Sequence, residues 1–426
     1  MQAEKMLKKD NERNRKKVVI LGTLDTKGAE VKYIKEKIEE NGLECIVVDI
    51  GIRGPPREVT PNITREEVAN AAGYTIEELA SLPRGEAIKR MSEGVKAVCK
   101  KLYESKKLDG IISIGGADGS LLAAAGITNL PIGVPKVMIS PVFQGEEKFG
   151  PFVGTRDVIM IHSVVDILGL NDIIKVIFDN AVVALVNMVK SRDVYVDYEF
   201  KNKNLISVTM YGNTTPGVMI AKELLEERGY QVVVFHPNGT GGRAMEEMIY
   251  EGLFKGVLDY TPHEVVDYLL NGLHSAGPER LDAAIKTGVP LVLVPGCCDF
   301  ILKGPLNTLP KKYRKRLIYG FNPLYTLVKV SIEEAKMIGR YIANKLNNAK
   351  EKSKIAVVFP LKGISMYDKE GDLFFDPEVD KAIFNSIKKN ISPEIRIVEV
   401  DAHINEWPVP KTCVEILLEL IEKENL

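Results

Sequence analysis

The sequence predicts an α/β chain built as two Rossmann-like, doubly wound domains with mainly parallel sheets. Three observations lead there. Short runs rich in Val and Ile, too short for helices, alternate with amphipathic helical stretches from Lys17 onward; strands that alternate with helices pair in parallel and are covered on both faces. Several of these runs end in turns rich in glycine, as parallel strands do where the chain enters a helix. The pattern then restarts near residue 204, with landmarks of the first half in the same order.

Residues 1–16 are charged, lack the apolar stretch of a signal peptide, and read as a flexible leader. The first domain follows, over residues 17–195. Its strands are expected at 17–22, 44–49, 109–114 and 136–140, with helical periodicity at 29–40, 85–105 and 119–125. Residues 53–83 form a proline-broken excursion of the kind that closes over a site. The stretch 161–189 is unusually apolar: it is either a core helix buried on several sides or a face that meets another subunit.

Polar residues 191–204 read as a linker to a second domain at 204–426. Strands are expected there at 205–211, 231–236, 256–259, 290–294, 355–359 and 396–400, with an amphipathic helix at 411–423 closing the chain. The restart has the marks of a diverged repeat. Asp25-Thr-Lys-Gly28, Asn41-Gly42 and Gly51 find counterparts in Thr214-Thr-Pro-Gly217, Arg228-Gly229 and Gly239, and Gly133-Val-Pro135 one in Gly288-Val-Pro290.

A net charge of −1 supplies no global field for nucleic acid, and no run of about 18 apolar residues offers a membrane span. The five cysteines include no CxxC pair and no zinc spacing, which points to reduced thiols and a cytoplasmic protein.

Chemistry gathers at strand ends. Gly22-Thr-Leu-Asp-Thr-Lys-Gly28 follows the first strand; it is neither a Walker A loop nor GxGxxG. Thr23, Thr26 and free amides could hold phosphate oxygens there, Lys27 could neutralise charge, and Asp25 could bind Mg²⁺ through water. A helix start capped by Asp25 or Thr26 would use the same residues, and spacing does not choose between the two. Gly115-Gly-Ala-Asp-Gly-Ser120 puts three glycines in five residues, the stronger anion signal. Arg53, after the second strand, is a candidate phosphate contact.

In the second half, His236-Pro-Asn-Gly-Thr-Gly-Gly-Arg243 is the densest polar cluster. Gly239, Thr240, Gly241, Gly242 and Arg243 suggest a second anionic-ligand pocket, with His236 as acid or base. Asn213, Thr214, Thr215, Gly296, Cys297 and Asp299 end neighbouring strands, and His403 either completes the same crevice or belongs to a helix-capping loop. Cys297 reads as pocket lining, because nothing marks its thiol as activated. The acidic stretch 368–380 reads as a solvated hairpin or loop, and His162, His263 and His274 as structural.

These motifs resemble the ATP-binding family named after the tomato mosaic virus resistance protein. The resemblance runs from Lys17 to Trp407 and rests on Gly22 to Gly28, Gly115-Gly116, Ser163-Val-Val-Asp-Ile167, Asn213-Thr-Thr-Pro216, the segment from Phe235 to Glu246, Ser275-Ala-Gly-Pro278 and His403-Ile-Asn405. It implies paired Rossmann-like domains, ATP and Mg²⁺ in the first, and a homodimer. ATP would lie against Gly22, Thr23, Asp25, Thr26, Lys27, Arg53 and Gly115, Gly116, Ala117, Asp118, Gly119 and Ser120. The family often has Gly-Gly-Ser-Gly-Gly-Thr at the second turn. Asp118 therefore adds a charge that either helps Asp25 hold Mg²⁺ or alters nucleotide binding. A family His-Asn-Pro stands here as Phe321-Asn-Pro323.

Two functions follow as expectations. One is an enzyme that uses ATP and acts on a small anionic metabolite (a carboxylate, phosphate or sugar acid) near His236, Arg243 and Asp299. The other is a non-catalytic ATP-binding module in which the nucleotide orders residues 53–83 and a partner surface.

Overall fold

A computed structural model describes residues 15–143, 150–191 and 204–422, so most of the expected leader and of the expected linker lies outside the described residues. The chain divides into two compact units, Met1–Asp197 and Tyr198–Leu426.

In the first unit β1 (Lys17–Gly22), β2 (Glu44–Asp49), β3 (Gly110–Ile114), β4 (Lys136–Ser140) and β5 (Ile159–His162) form one parallel sheet in the order β2-β1-β3-β4-β5. Side chains alternate along a strand. In β1, Val18 and Ile20 therefore pack with helices Leu24–Glu40 and Asp172–Ser191, while Val19 and Leu21 pack with helices Arg84–Glu104 and Ala117–Ile127. The order reverses between β1 and β3, the switch point where such sheets leave a crevice at the strands' carboxyl ends.

The first helix begins at Leu24, earlier than periodicity suggests, because the Asp49 carboxylate accepts its N–H at 3.2 Å. Its backbone is kinked at Lys27 (φ −122°, ψ 18°). Helix Asp172–Ser191 buries Ile174, Phe178, Ala181, Val182, Leu185, Val186 and Val189 but exposes Ile173, Val176 and Val183. It is thus buried along one face, not several.

In the second unit β6 (Leu205–Thr209), β7 (Gln231–Phe235), β8 (Gly256–Asp259), β9 (Leu291–Leu293), β13 (Ile355–Pro360) and β14 (Arg396–Val400) run β14-β13-β9-β8-β6-β7, all parallel. That is the first unit's strand order with one strand added, in keeping with the repeat. A separate antiparallel sheet of β10 (Phe300–Lys303), β12 (Tyr325–Lys329) and β11 (Ile318–Asn322) was not foreseen. Its alternation is interrupted by a register shift between Gly320 and Asn322. The turn is closed by the Asn322 side chain, which accepts from Leu324 N and Tyr325 N.

The acidic stretch 368–380 is a solvated loop at residues 369–373, but its reading as solvated is corrected at its ends, where Asp368 and Asp380 are buried. Asp368 accepts from Ile364 N and Asp376 N and meets Lys329 Nζ at 3.4 Å, while Asp376 caps helix Pro377–Asn390.

Candidate functional site

At the β1/β3 switch point lies a cavity of 390 Å³ lined by the ends of three strands and the excursion, within the size range of small-molecule sites. Thr23, Asp25, Thr26 and Lys27 come from the first turn, Gly51, Ile52 and Arg53 from the second strand's end, and Gly116, Ala117, Asp118 and Gly119 from the glycine turn. Leu79, Ala80, Leu82, Ala87, Ile88 and Leu122 supply an apolar wall. The excursion reaches this wall because Thr64 and Thr75 start two short helices with capping boxes against Glu67 and Glu78.

Three expected contacts lie beneath the cavity and do not line it. A Cβ on Gly22 would sit 2.6 Å from Val31 Cγ2, so this glycine serves close strand–helix packing. A Cβ on Gly115 would sit 2.9 Å from the Gly119 backbone. The Ser120 hydroxyl donates to Ser140 Oγ at 2.8 Å and is buried.

Thr23 occupies the N-cap without capping through its side chain; its hydroxyl meets that of Thr26 at 3.1 Å, beside the cavity. The capped start by Asp25 or Thr26 is therefore not what forms. Asp118 is paired with Arg84, Nε to Oδ2 at 2.8 Å, which takes up the charge it would offer a cation.

Sequence reasoning missed Asp49, Arg84 and the apolar wall. Asp49 is fully buried; Oδ1 accepts from Leu24 N and Gly51 N, and Oδ2 has no hydrogen-bond partner. Burial pushes its pKa up to about 6, against the two amides that favour the carboxylate; nearby Asp25 raises it further. Because the folded carboxyl is held above its unfolded value, the folded state binds more protons. Stability therefore falls as pH rises from about 4 toward about 6, by up to ~3 kcal/mol. Asp49→Asn keeps an acceptor for both amides and should lose that slope; urea melts at pH 4 and pH 8 check it, and equal slopes in both proteins would refute it.

The second unit corrects the glycine-rich pocket. Gly239 N and Gly242 N both donate to Glu264 Oε1, at 2.6 and 3.1 Å, and Gly241 N donates to Asn238 Oδ1 at 3.0 Å. A Cβ on Gly242 would fall 1.8 Å from Glu264 Oε2. The glycines admit the chain's own carboxylate, which fills the anion nest. Arg243 turns back to donate to Gly239 O, and Thr240 is exposed at the helix start.

Behind this segment Arg280, 1% exposed, donates to Asp259 through two nitrogens (2.7 and 2.8 Å), to Glu264 (2.7 Å) and to Glu246 (3.1 Å).

The two expected catalytic groups have different surroundings. Asp299 is buried among Lys329 (3.4 Å), Ser365 (3.0 Å) and Asp368; burial raises its pKa, and Lys329 opposes that. His236 is exposed, and its Nδ1 donates to Met210 O at 3.1 Å, so Nε2 is the lone-pair nitrogen of the neutral ring. His403 is buried, accepts from Asn405 N and donates to Ser365 O at 2.9 Å.

Thr214 is buried against Thr261, and Thr215 bonds Tyr211 O. Asn213 receives Asn405 Nδ2 on its carbonyl. Gly296 packs against Tyr260. Cys297 lies buried at φ 57°, and burial pushes its thiol well above the usual range. Iodoacetamide at pH 7.5 should therefore leave Cys297 unlabelled in the native protein and label it after denaturation; a free-thiol rate in the native state would reinstate a nucleophile.

What the second unit does assemble is a ring cluster at the β6/β8 switch point. Tyr211 lies 5.0 Å from His236, 5.1 Å from His263 and 5.9 Å from His274, and shares a hydrogen bond with His274 Nδ1. Burial opposes charge on His263, but Asp267 beside it prevails and raises its pKa. Burial, then the charge of His263, lowers His274 to about 4.

Residues 16–194 match the N-terminal domain, and residues 203–421 the C-terminal domain, of the uncharacterised protein family UPF0261. The chain belongs to the UPF0261 family. It is 44% identical over 410 residues to a UPF0261 protein of Clostridium tetani, covering 96% of this chain and 100% of that one. It is 32% identical over 429 residues to the ToMV resistance protein Tm-1(GCR237) of Solanum lycopersicum, covering 96% of this chain and 56% of that protein. The resemblance read from the motifs thus holds at the level of the family. Among solved structures, a putative UDP-N-acetylglucosamine 2-epimerase from Listeria monocytogenes is similar at 12% identity and a TM-score of 0.24, over 66% of this chain and 79% of that one. That likeness is too remote to bear on chemistry. No helix among the described residues is long and apolar enough to cross a membrane.

Proposed function

We propose that this UPF0261 protein binds a nucleotide, ATP with Mg²⁺, in the first unit. The observation that carries the reading is the switch-point cavity, which polar turn residues and apolar side chains line together. Phosphates would lie against Thr23, Thr26, Lys27, Arg53 and the Gly116–Gly119 turn, and the base against Leu79, Leu82, Ile88 and Leu122. The charges of Asp118 and Arg84 cancel, so Lys27 and Arg53 stand against Asp25. A triphosphate needs more positive charge than that, which suits a divalent cation held by Asp25, with Asp49 behind it; such an ion neutralises charge between phosphate oxygens. Calorimetry with ATP, with and without Mg²⁺, tests the reading, and no binding heat up to millimolar nucleotide would end it.

A second reading keeps acid–base chemistry in the second unit, on a small anionic metabolite. What favours it is the exposed His236 ring, with Nε2 as its lone-pair nitrogen, beside the Tyr211–His274 pair, not the glycine segment. His236→Ala should then lower ATP-dependent turnover of any active acid substrate, and unchanged turnover would remove His236 from the mechanism; ATP binding with no turnover of any acid would leave the non-catalytic module. A homodimer would have the exposed row Ile173, Val176 and Val183 to bury, which sedimentation of Val176→Glu against wild type would test.

A further inference from the structure

Residues 163–170, between β5 and helix Asp172–Ser191, are tied to the phosphate-side helix by two bonds. Lys27 Nζ donates to Ile167 O, and Gly169 N donates to the buried carboxylate of Glu30 at 2.7 Å. Lys27 also lines the cavity, from the kink in its helix. One residue therefore borders the proposed phosphate site and holds this segment through its ammonium.

The segment is held under strain. Val164 has φ 62°, and Val165 N donates to Ser163 O at 2.6 Å around it, closing a γ-turn of the rare sense. A β-branched residue in that region is an outlier that persists only where its surroundings impose it. Val164, Leu168 and Leu170 are exposed, while Ile167 is buried in the core. At its root, Ser163 N donates to Ser140 O, and Ser140 accepts from Ser120 beneath the glycine turn.

We infer that residues 163–170 are a strap latched by Lys27 and released by nucleotide. An anionic phosphate outcompetes a neutral carbonyl for the same ammonium. Binding therefore draws Lys27 from Ile167, the γ-turn relaxes, and the apolar side chains of the strap change their presentation. This rests on the nucleotide reading above, which it deepens by adding a readout.

The experiment is hydrogen exchange on the full chain, following peptides across 163–170, with and without Mg²⁺ and the β,γ-imido analogue of ATP, alongside calorimetry. The analogue should speed exchange in the strap about tenfold in the wild type, the scale of one charge-assisted bond lost. Lys27→Met should exchange about tenfold faster with no nucleotide present. Binding heat with unchanged wild-type strap exchange overturns the strap and spares the nucleotide site. Wild-type exchange in nucleotide-free Lys27→Met also overturns the latch. Absence of binding heat overturns both readings.

Discussion

Gly116→Val should abolish tight nucleotide binding and leave the fold intact. A Cβ on Gly116 meets nothing within 4 Å, and its φ of −74° suits any residue. The added side chain therefore enters open space at the cavity that Gly116 lines. Loss of close backbone approach to phosphate should weaken binding at least ~30-fold, or ~2 kcal/mol. Valine at an N-cap costs about 1 kcal/mol, a change of roughly 2 °C in melting temperature.

Gly115→Ala is the contrasting variant: its Cβ would press on the Gly119 backbone at 2.9 Å, so stability should fall first. Adding Lys27→Ala to Gly116→Val should take the loss beyond ~100-fold, less than additively, because the two residues line one cavity. Calorimetry and thermal melts together check this. Nucleotide affinity untouched in the double variant would place the ligand elsewhere.

Arg280→Leu should be the most damaging single change in the second unit. It strands the buried carboxylates of Asp259, Glu264 and Glu246, which Arg280 contacts through every nitrogen of its fork. Removing one side of a buried ion network costs about 3–5 kcal/mol. Burial already raises the pKa of Glu246 with Arg280 opposing it, so without the guanidinium Glu246 takes up a proton on folding. The folded state would then bind more protons than the unfolded one, and the damage should grow as pH rises. Denaturant melts at pH 5.5 and pH 8 check the sign. Arg280→Lys keeps the charge but loses the bidentate grip on Asp259, and should recover only part of the loss. A cost below ~1 kcal/mol for Arg280→Leu would mean the network is solvated.

Periodicity made most of the parallel strands legible, because an alternating or fully apolar run can satisfy only a few backbone arrangements. Both turns of the first unit were legible for the same local reason, glycine where a strand meets a helix. The segment from His236 to Arg243 shows where locality stops. Its glycines allow close approach by an anion, but whether that anion is a ligand or Glu264 is invisible in the segment itself.

What the sequence determined alone is therefore the α/β class, the repeat of one half in the other and the ends of the strands where chemistry can gather. Only the tertiary structure decided that Asp118 is neutralised by Arg84, that Asp49 lies buried beneath the first turn, that Lys27 reaches Ile167, and that the second nest is filled from within. The reason is physical: backbone geometry follows from neighbours a few residues apart. The partner of a charge, by contrast, is chosen by packing across 34 residues for Asp118 and 140 for Lys27.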